Sequence, residues 1–175
     1  MLFGGVKMED QCYEILFTSE IYEKFNDKMA TISELKNSYK SIPNESGIYF
    51  VIKPKDFKVE IMEKTTAITE YKNKSMLFDK NQLVKKFEKS NKIILYIGKA
   101  DGKKNTLQKR IRQLIEYSYG KAKNHRGGRA LWQIKDNKDL LLIYFENTNA
   151  RNLEKELLKE YKRRFGELPL ANWRI

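Results

Sequence analysis

Residues Ile93 to Leu114 read IILYIGKADGKKNTLQKRIRQL. An apolar run ends on Tyr96-Ile97-Gly98-Lys99, and a loop rich in Gly and Lys follows. Leu107, Ile111, Leu114 and Ile115 then recur at helical spacing behind Thr106. The expected order is strand, loop, helix. Arg110 lies three residues after Leu107 and four before Leu114, so the apolar stripe of this helix carries a guanidinium where a hydrophobe belongs. A hidden guanidinium stays charged and needs partners for its donors, unless its stem lies along the core edge and its head reaches water.

Working outward, Gly47-Ile48-Tyr49-Phe50-Val51-Ile52-Lys53 reads as a strand, with Ile48, Phe50 and Ile52 on one face and Tyr49 and Val51 on the other. In the strand Ile93 to Gly98, strict alternation puts Tyr96 on the face of Ile94. Leu140 to Phe145 is a continuous apolar run of strand length, expected to be covered on both faces. Ala150 to Phe165 is the clearest helix, with Ala150, Leu153, Leu157, Leu158, Tyr161 and Phe165 on one side and Gly166 as its stop. Glu154 falls on that apolar side. Residues 11 to 42 suggest two short helices, or a strand and a helix, with Thr31-Ile32-Ser33-Glu34 as a helix start. The polar stretch 54–91 carries a helix from about Asp79, with Leu83, Val84 and Phe87 as its stripe.

The 175 residues, 41% hydrophobic and 12% aromatic, suit one folded domain with a sizeable core. A net charge of +12 favours a polyanionic partner, with nucleic acid foremost. The excess is local: from Lys99 to Arg129, ten Lys and Arg face only Asp101 and Glu116, a net of +8. One cysteine, Cys12, excludes an internal disulfide and a cysteine-based zinc site, and one histidine, His125, excludes His-pair metal motifs. Any metal then rests on oxygen ligands, which suits magnesium or manganese. The start shows no basic leader followed by a long apolar run, and no stretch reaches membrane-spanning length, so a cytoplasmic protein without membrane contact is expected.

Two strand tyrosines, an arginine and a glutamate on the apolar sides of helices, and a basic loop together make a kit for phosphodiester cleavage. Such chemistry needs a carboxylate for a divalent cation, a cation for developing charge on phosphate, and a group that activates water. Gly47-Ile48-Tyr49 with Tyr96-Ile97-Gly98 resembles the signature of the GIY-YIG nucleases. Lys99-Ala100 and Leu107-x-x-Arg110 continue it, as in the amino-terminal nuclease of bacterial excision-repair enzymes. Ala150-x-x-Leu153-Glu154-x-x-Leu157-Leu158 and Asn172 resemble the later motifs.

The resemblance implies an α+β fold: a small three-stranded antiparallel sheet flanked by helices. In this single domain, 1–42 would be an N-terminal extension and 54–91 an insertion between the first two core strands. It further implies a DNA endonuclease leaving 5'-phosphate and 3'-hydroxyl ends, with one Mg2+ or Mn2+ per site held by Glu154. Tyr49 would orient or deprotonate the attacking water and Tyr96 would complete the water-binding pair. Arg110 would stabilise the pentacovalent phosphate, Lys99 would present an ammonium to it, and Asn172 would hold the site or the leaving strand. Lys103, Lys104, Arg112, His125, Arg126 and Arg129 are the expected DNA contacts, with His125 also a candidate phosphate ligand. A non-catalytic nucleic-acid-binding module of the same fold is the alternative, and a basic structural or partner-binding domain the next. With no separate DNA-reading motif in view, specificity is left to the 54–91 segment, the first 40 residues, a homodimer or a partner protein.

Overall fold

The structure, a computed structural model, describes residues 10–121 and 127–175. His125 and Arg126 lie outside the described residues. The strands are β1 (Ala30–Thr31), β2 (Gly47–Ile52), β3 (Glu70–Tyr71), β4 (Lys74–Ser75), β5 (Ile94–Ala100) and β6 (Leu141–Glu146). The α-helices are α1 (Asp10–Phe17), α2 (Glu20–Lys24), α3 (Ile32–Ser38), α4 (Lys80–Glu88), α5 (Leu107–Ser118) and α6 (Ala150–Phe165). The protein is α+β. Its main sheet is antiparallel in the order β1-β6-β2-β5, while β3 and β4 form a separate hairpin.

The sheet thus has four strands where three are expected. The fourth, β1, pairs Ala30 with Leu142 and Thr31 with Leu141. Two residues are too few to show an alternation in sequence. The described residues 10–42 hold three short α-helices as well as this strand, more pieces than either expected arrangement. Thr31 then caps α3 in a reciprocal capping box with Glu34, as the sequence suggests.

Strand β2 is buried along its whole length because it is central and covered on both faces. On one face Tyr49, Val51, Leu95 and Tyr96 pack with Leu107, Ile111 and Leu114 of α5 and with Trp132. On the other, Ile48, Phe50, Ile52, Ile94 and Ile97 pack with Leu157, Leu158 and Tyr161 of α6 and with Phe17 and Ile21. The expected sharing of a face by Ile94 and Tyr96 is therefore wrong. Val51 pairs with Tyr96 but Ile52 pairs with Ile94, so Leu95 is an extra residue, a β-bulge. A bulge advances the alternation by one, which puts Tyr96 on the same face as Tyr49.

With β2 central, β5 is left at the edge of the sheet, and the C-terminal tail closes that edge. Ala171 N donates to Leu95 O at 2.9 Å. The Asn172 side chain accepts from Ile97 N at 2.9 Å and donates to Ile97 O at 2.8 Å. An uncovered edge would present these backbone groups to other chains. Helix α4 packs beside the tail through buried Leu83 and half-buried Phe87, but Val84 points outward at 38% exposure. Lys86 turns inward in its place, and its ammonium donates to Asn172 O. Among the described residues no helix is long and apolar enough to cross a membrane.

Candidate functional site

Tyr49 and Tyr96 come together because the register does so: Tyr49 lies opposite Gly98, and Val51 opposite Tyr96. Their rings sit 6.0 Å apart, tilted by 57°. Gly98 is what lets the Tyr49 ring cross β5. A Cβ there would lie 2.6 Å from the Tyr49 hydroxyl and 2.7 Å from Cε2, closer than real Cβ atoms come to anything. The Y-I-G order thus has a steric reason: the glycine is the floor on which the other strand's tyrosine lies.

Tyr49 is fully buried, and its hydroxyl makes no hydrogen bond of good geometry among the described residues. A buried hydroxyl without a partner costs stability, and such groups gather where a ligand will meet them. The nearest polar groups are the Tyr96 hydroxyl and the Arg110 guanidinium. Burial raises the Tyr49 pKa, Arg110 and Tyr96 draw it back, and the Glu154 carboxylate raises it. Tyr96 is held well above the usual phenol range by burial, by Tyr49 and by Glu154, again with Arg110 opposing. Arg110 and Glu154 therefore act on both phenols. In the protein alone, both tyrosines stay protonated at neutral pH, so Tyr49 is not a ready-made base.

Arg110 is half-buried on α5 and donates from Nη1 to Gln113 Oε1 at 3.1 Å, leaving other donors for an anion. It belongs to the tyrosine face of the sheet. Lys99 belongs to the opposite face, because it pairs with Ile48, and it forms an ion pair with Glu154 of α6. Their side chains are 34% and 17% exposed. The two halves of the site thus come from opposite faces of the sheet, and both act on the phenols of Tyr49 and Tyr96, Arg110 lowering their pKa values and Glu154 raising them.

Glu154 is the group able to hold a metal, and its carboxylate is already engaged by Lys99. Among the described residues no three His, Cys, Asp or Glu side chains gather in a metal-binding group. The donors present, one carboxylate beside two phenols, fit a magnesium-like ion that keeps several waters and is completed by substrate phosphate. They do not form an all-protein cage.

Asn172 does not offer its amide to the site, since both polar atoms are bonded to Ile97. It fixes the strand between Tyr96 and Gly98. Lys103 and Lys104 are exposed in the turn after β5. Arg112 points elsewhere: it lies 3.9 Å from Glu116 and lines a cavity of about 140 Å³ with Lys36, Tyr39 and Tyr119. Arg129 is not a free loop cation either. Its guanidinium stacks 4.5 Å from the centre of Phe78 in the 54–91 segment and donates to Met76 Sδ.

Sequence reading missed Gly127 and Gly128. A Cβ at Gly127 would lie 2.7 Å from the Tyr96 hydroxyl, and one at Gly128 3.3 Å from the Tyr96 ring. Gly128 also has φ of 72°, which favours glycine. The paired glycines were the available signal, hidden within a basic loop. Comparison with family models, with curated proteins and with solved structures finds no match to this chain.

Proposed function

We propose that the protein is a divalent-metal-dependent DNA endonuclease of GIY-YIG type. The supporting observation is the convergence of two buried phenols, Arg110 and Glu154 at the outer edge of β5, close enough that Arg110 and Glu154 both influence both phenols. A scissile phosphate laid against this edge meets Arg110 from one face and Lys99 from the other. Arg110 spreads positive charge over the pentacovalent phosphate through donors not used by Gln113. Tyr49, protonated, orients the attacking water with the hydroxyl that has no other partner, and Tyr96 donates to the phosphate. Glu154 is the residue that would hold a divalent cation, which would supply Lewis-acid polarisation of a phosphate oxygen. Lys99, paired with Glu154 in the protein alone, would present its ammonium to the phosphate were the carboxylate to take a cation. Attack of the water oxygen on phosphorus breaks the bond to the 3'-oxygen, and the proton lost by the water is balanced by the one taken up by that leaving oxygen, so the products are 5'-phosphate and 3'-hydroxyl ends.

A binding module without turnover is the second reading, favoured by one observation: the Lys99 ammonium already neutralises Glu154. The two separate in cleavage assays on supercoiled, branched and single-stranded DNA with Mg2+ or Mn2+. The nuclease nicks in a metal-dependent way, and Glu154→Ala and Tyr49→Phe abolish nicking. Tight DNA binding by the wild type without such nicking decides for the module.

A further inference from the structure

Beside the tail that closes β5 lies an open groove of about 320 Å³ whose walls are Lys85, Lys86 and Lys89, Lys162, Glu167 and Trp173. Its one carboxylate is spoken for, since Lys86 lies 3.7 Å from Glu167. Lys85, Lys89 and Lys162 are exposed and make no ion pair among the described residues. Lys85 and Lys89 stand one turn apart at the C-terminal end of α4, where the helix dipole favours cations, so both ammonium groups are held on the groove side of one helix end. The groove is also rigid. Trp173 stacks on Phe78 at 4.4 Å and 13°, Phe78 carries the Arg129 guanidinium, and Lys86 lies 4.5 Å from the Trp173 ring centre. This pair of stacked aromatics with a cation at each end reaches toward the candidate site, because the backbone of Gly128, next to Arg129, lies so near Tyr96 that a Cβ there would stand 3.3 Å from its ring. On the other side Trp173 follows Asn172, which is bonded to Ile97 beside Tyr96. Groove and site are therefore joined through the tail segment Ala171–Asn172 that covers β5.

We propose that this groove is a second grip for DNA, in which Lys85, Lys89 and Lys162 hold the phosphodiester backbone flanking the scissile phosphate. The proposal rests on the nuclease reading and gives the 54–91 segment, which carries α4, a part in substrate binding. Three exposed lysines lining one groove match the charge of a phosphodiester run, and Lys contacts to phosphate position a duplex without reading its sequence.

The test is metal-free binding of duplexes of about 30 and about 8 base pairs over a range of salt, with K85Q/K89Q/K162Q against a charge-matched control, K24Q/K55Q/K64Q. Each lost phosphate contact lowers the slope of log K against log salt by about 0.9, so the groove variant loses about 2 to 3 on the long duplex, and about tenfold or more in affinity at moderate salt. The short duplex, bound at the site alone, changes little. Equal losses for the two triple variants, or no loss on the long duplex, overturn the groove. Nicking of supercoiled plasmid by the wild type with Mn2+ is scored separately. Nicking with an unaltered slope sinks the groove alone, and a groove-dependent slope without nicking sinks the nuclease reading.

Discussion

Tyr49→Phe separates function from stability at a single atom. The substitution removes only the hydroxyl, which is fully buried and has no hydrogen-bond partner of good geometry among the described residues, and leaves the ring on Gly98. Ordinarily, removing a buried hydroxyl forfeits a hydrogen bond and destabilises by about 1 kcal/mol. Here no well-formed bond is lost, and the desolvation penalty of an unsatisfied group, about 1–3 kcal/mol, is relieved. The proximity of Tyr96 and Arg110 offsets part of that penalty, so the lower end applies, a gain of about 1 kcal/mol. For a chain of this size that raises Tm by roughly 2–4 °C. Cleavage falls to background, since the same hydroxyl is the proposed orienter of water. The pattern of a more stable protein that has lost its activity marks a group retained for function against stability. Differential scanning calorimetry beside a plasmid-nicking assay reads both. A lower Tm for Tyr49→Phe would refute the unpartnered hydroxyl, and undiminished nicking would refute its role.

Gly98→Ala forces a methyl group against the Tyr49 ring and costs about 1–3 kcal/mol by overpacking; in the Tyr49→Ala background most of this cost disappears, and a double-mutant cycle by denaturant unfolding with no coupling would contradict the contact. Asn172→Ala leaves both backbone groups of Ile97 unpaired and destabilises by about 2–4 kcal/mol in urea unfolding, whereas a residue acting only on the leaving strand would lower kcat and leave unfolding unchanged. Lys99→Gln frees the Glu154 carboxylate, so Mn2+ binding followed by electron paramagnetic resonance strengthens several-fold, and unchanged affinity would mean that the ammonium does not compete. Tyr49 and Tyr96 have pKa values raised by folding, which makes their contribution to stability complete below the unfolded phenol value near pH 10 and progressively lost above it. Alkaline unfolding therefore begins at higher pH when both are Phe, and an unshifted onset would argue against phenols held neutral.

Much of the architecture was legible because it is written in period and punctuation. The continuous apolar run of Gly47–Ile52, that of β6 and the 3.6-residue stripes of α5 and α6 each mark buried surface, and burial of apolar area is what drives these elements to form. Arg110 and Glu154 were conspicuous for the same reason, as charges on stripes that packing would fill with hydrophobes. What the sequence by itself determined is therefore the core strands, the main helices and the residue types carried toward a site.

Only the tertiary structure decided how those residues face one another. The bulge at Leu95 reverses which face Tyr96 occupies, and a one-residue slip in pairing leaves no trace in local composition. The placing of β5 at the sheet edge, with Arg110 reaching it from one face and Glu154 from the other, depends on strand order, which is fixed by contacts between residues far apart in the chain. The Lys99–Glu154 pair, the Asn172 clamp on Ile97 and the Arg129–Phe78–Trp173 column join positions 50 or more residues apart. Charge and hydrogen-bonding capacity are readable at each residue alone, but their energies depend on distance and burial, and those exist only once the chain has folded.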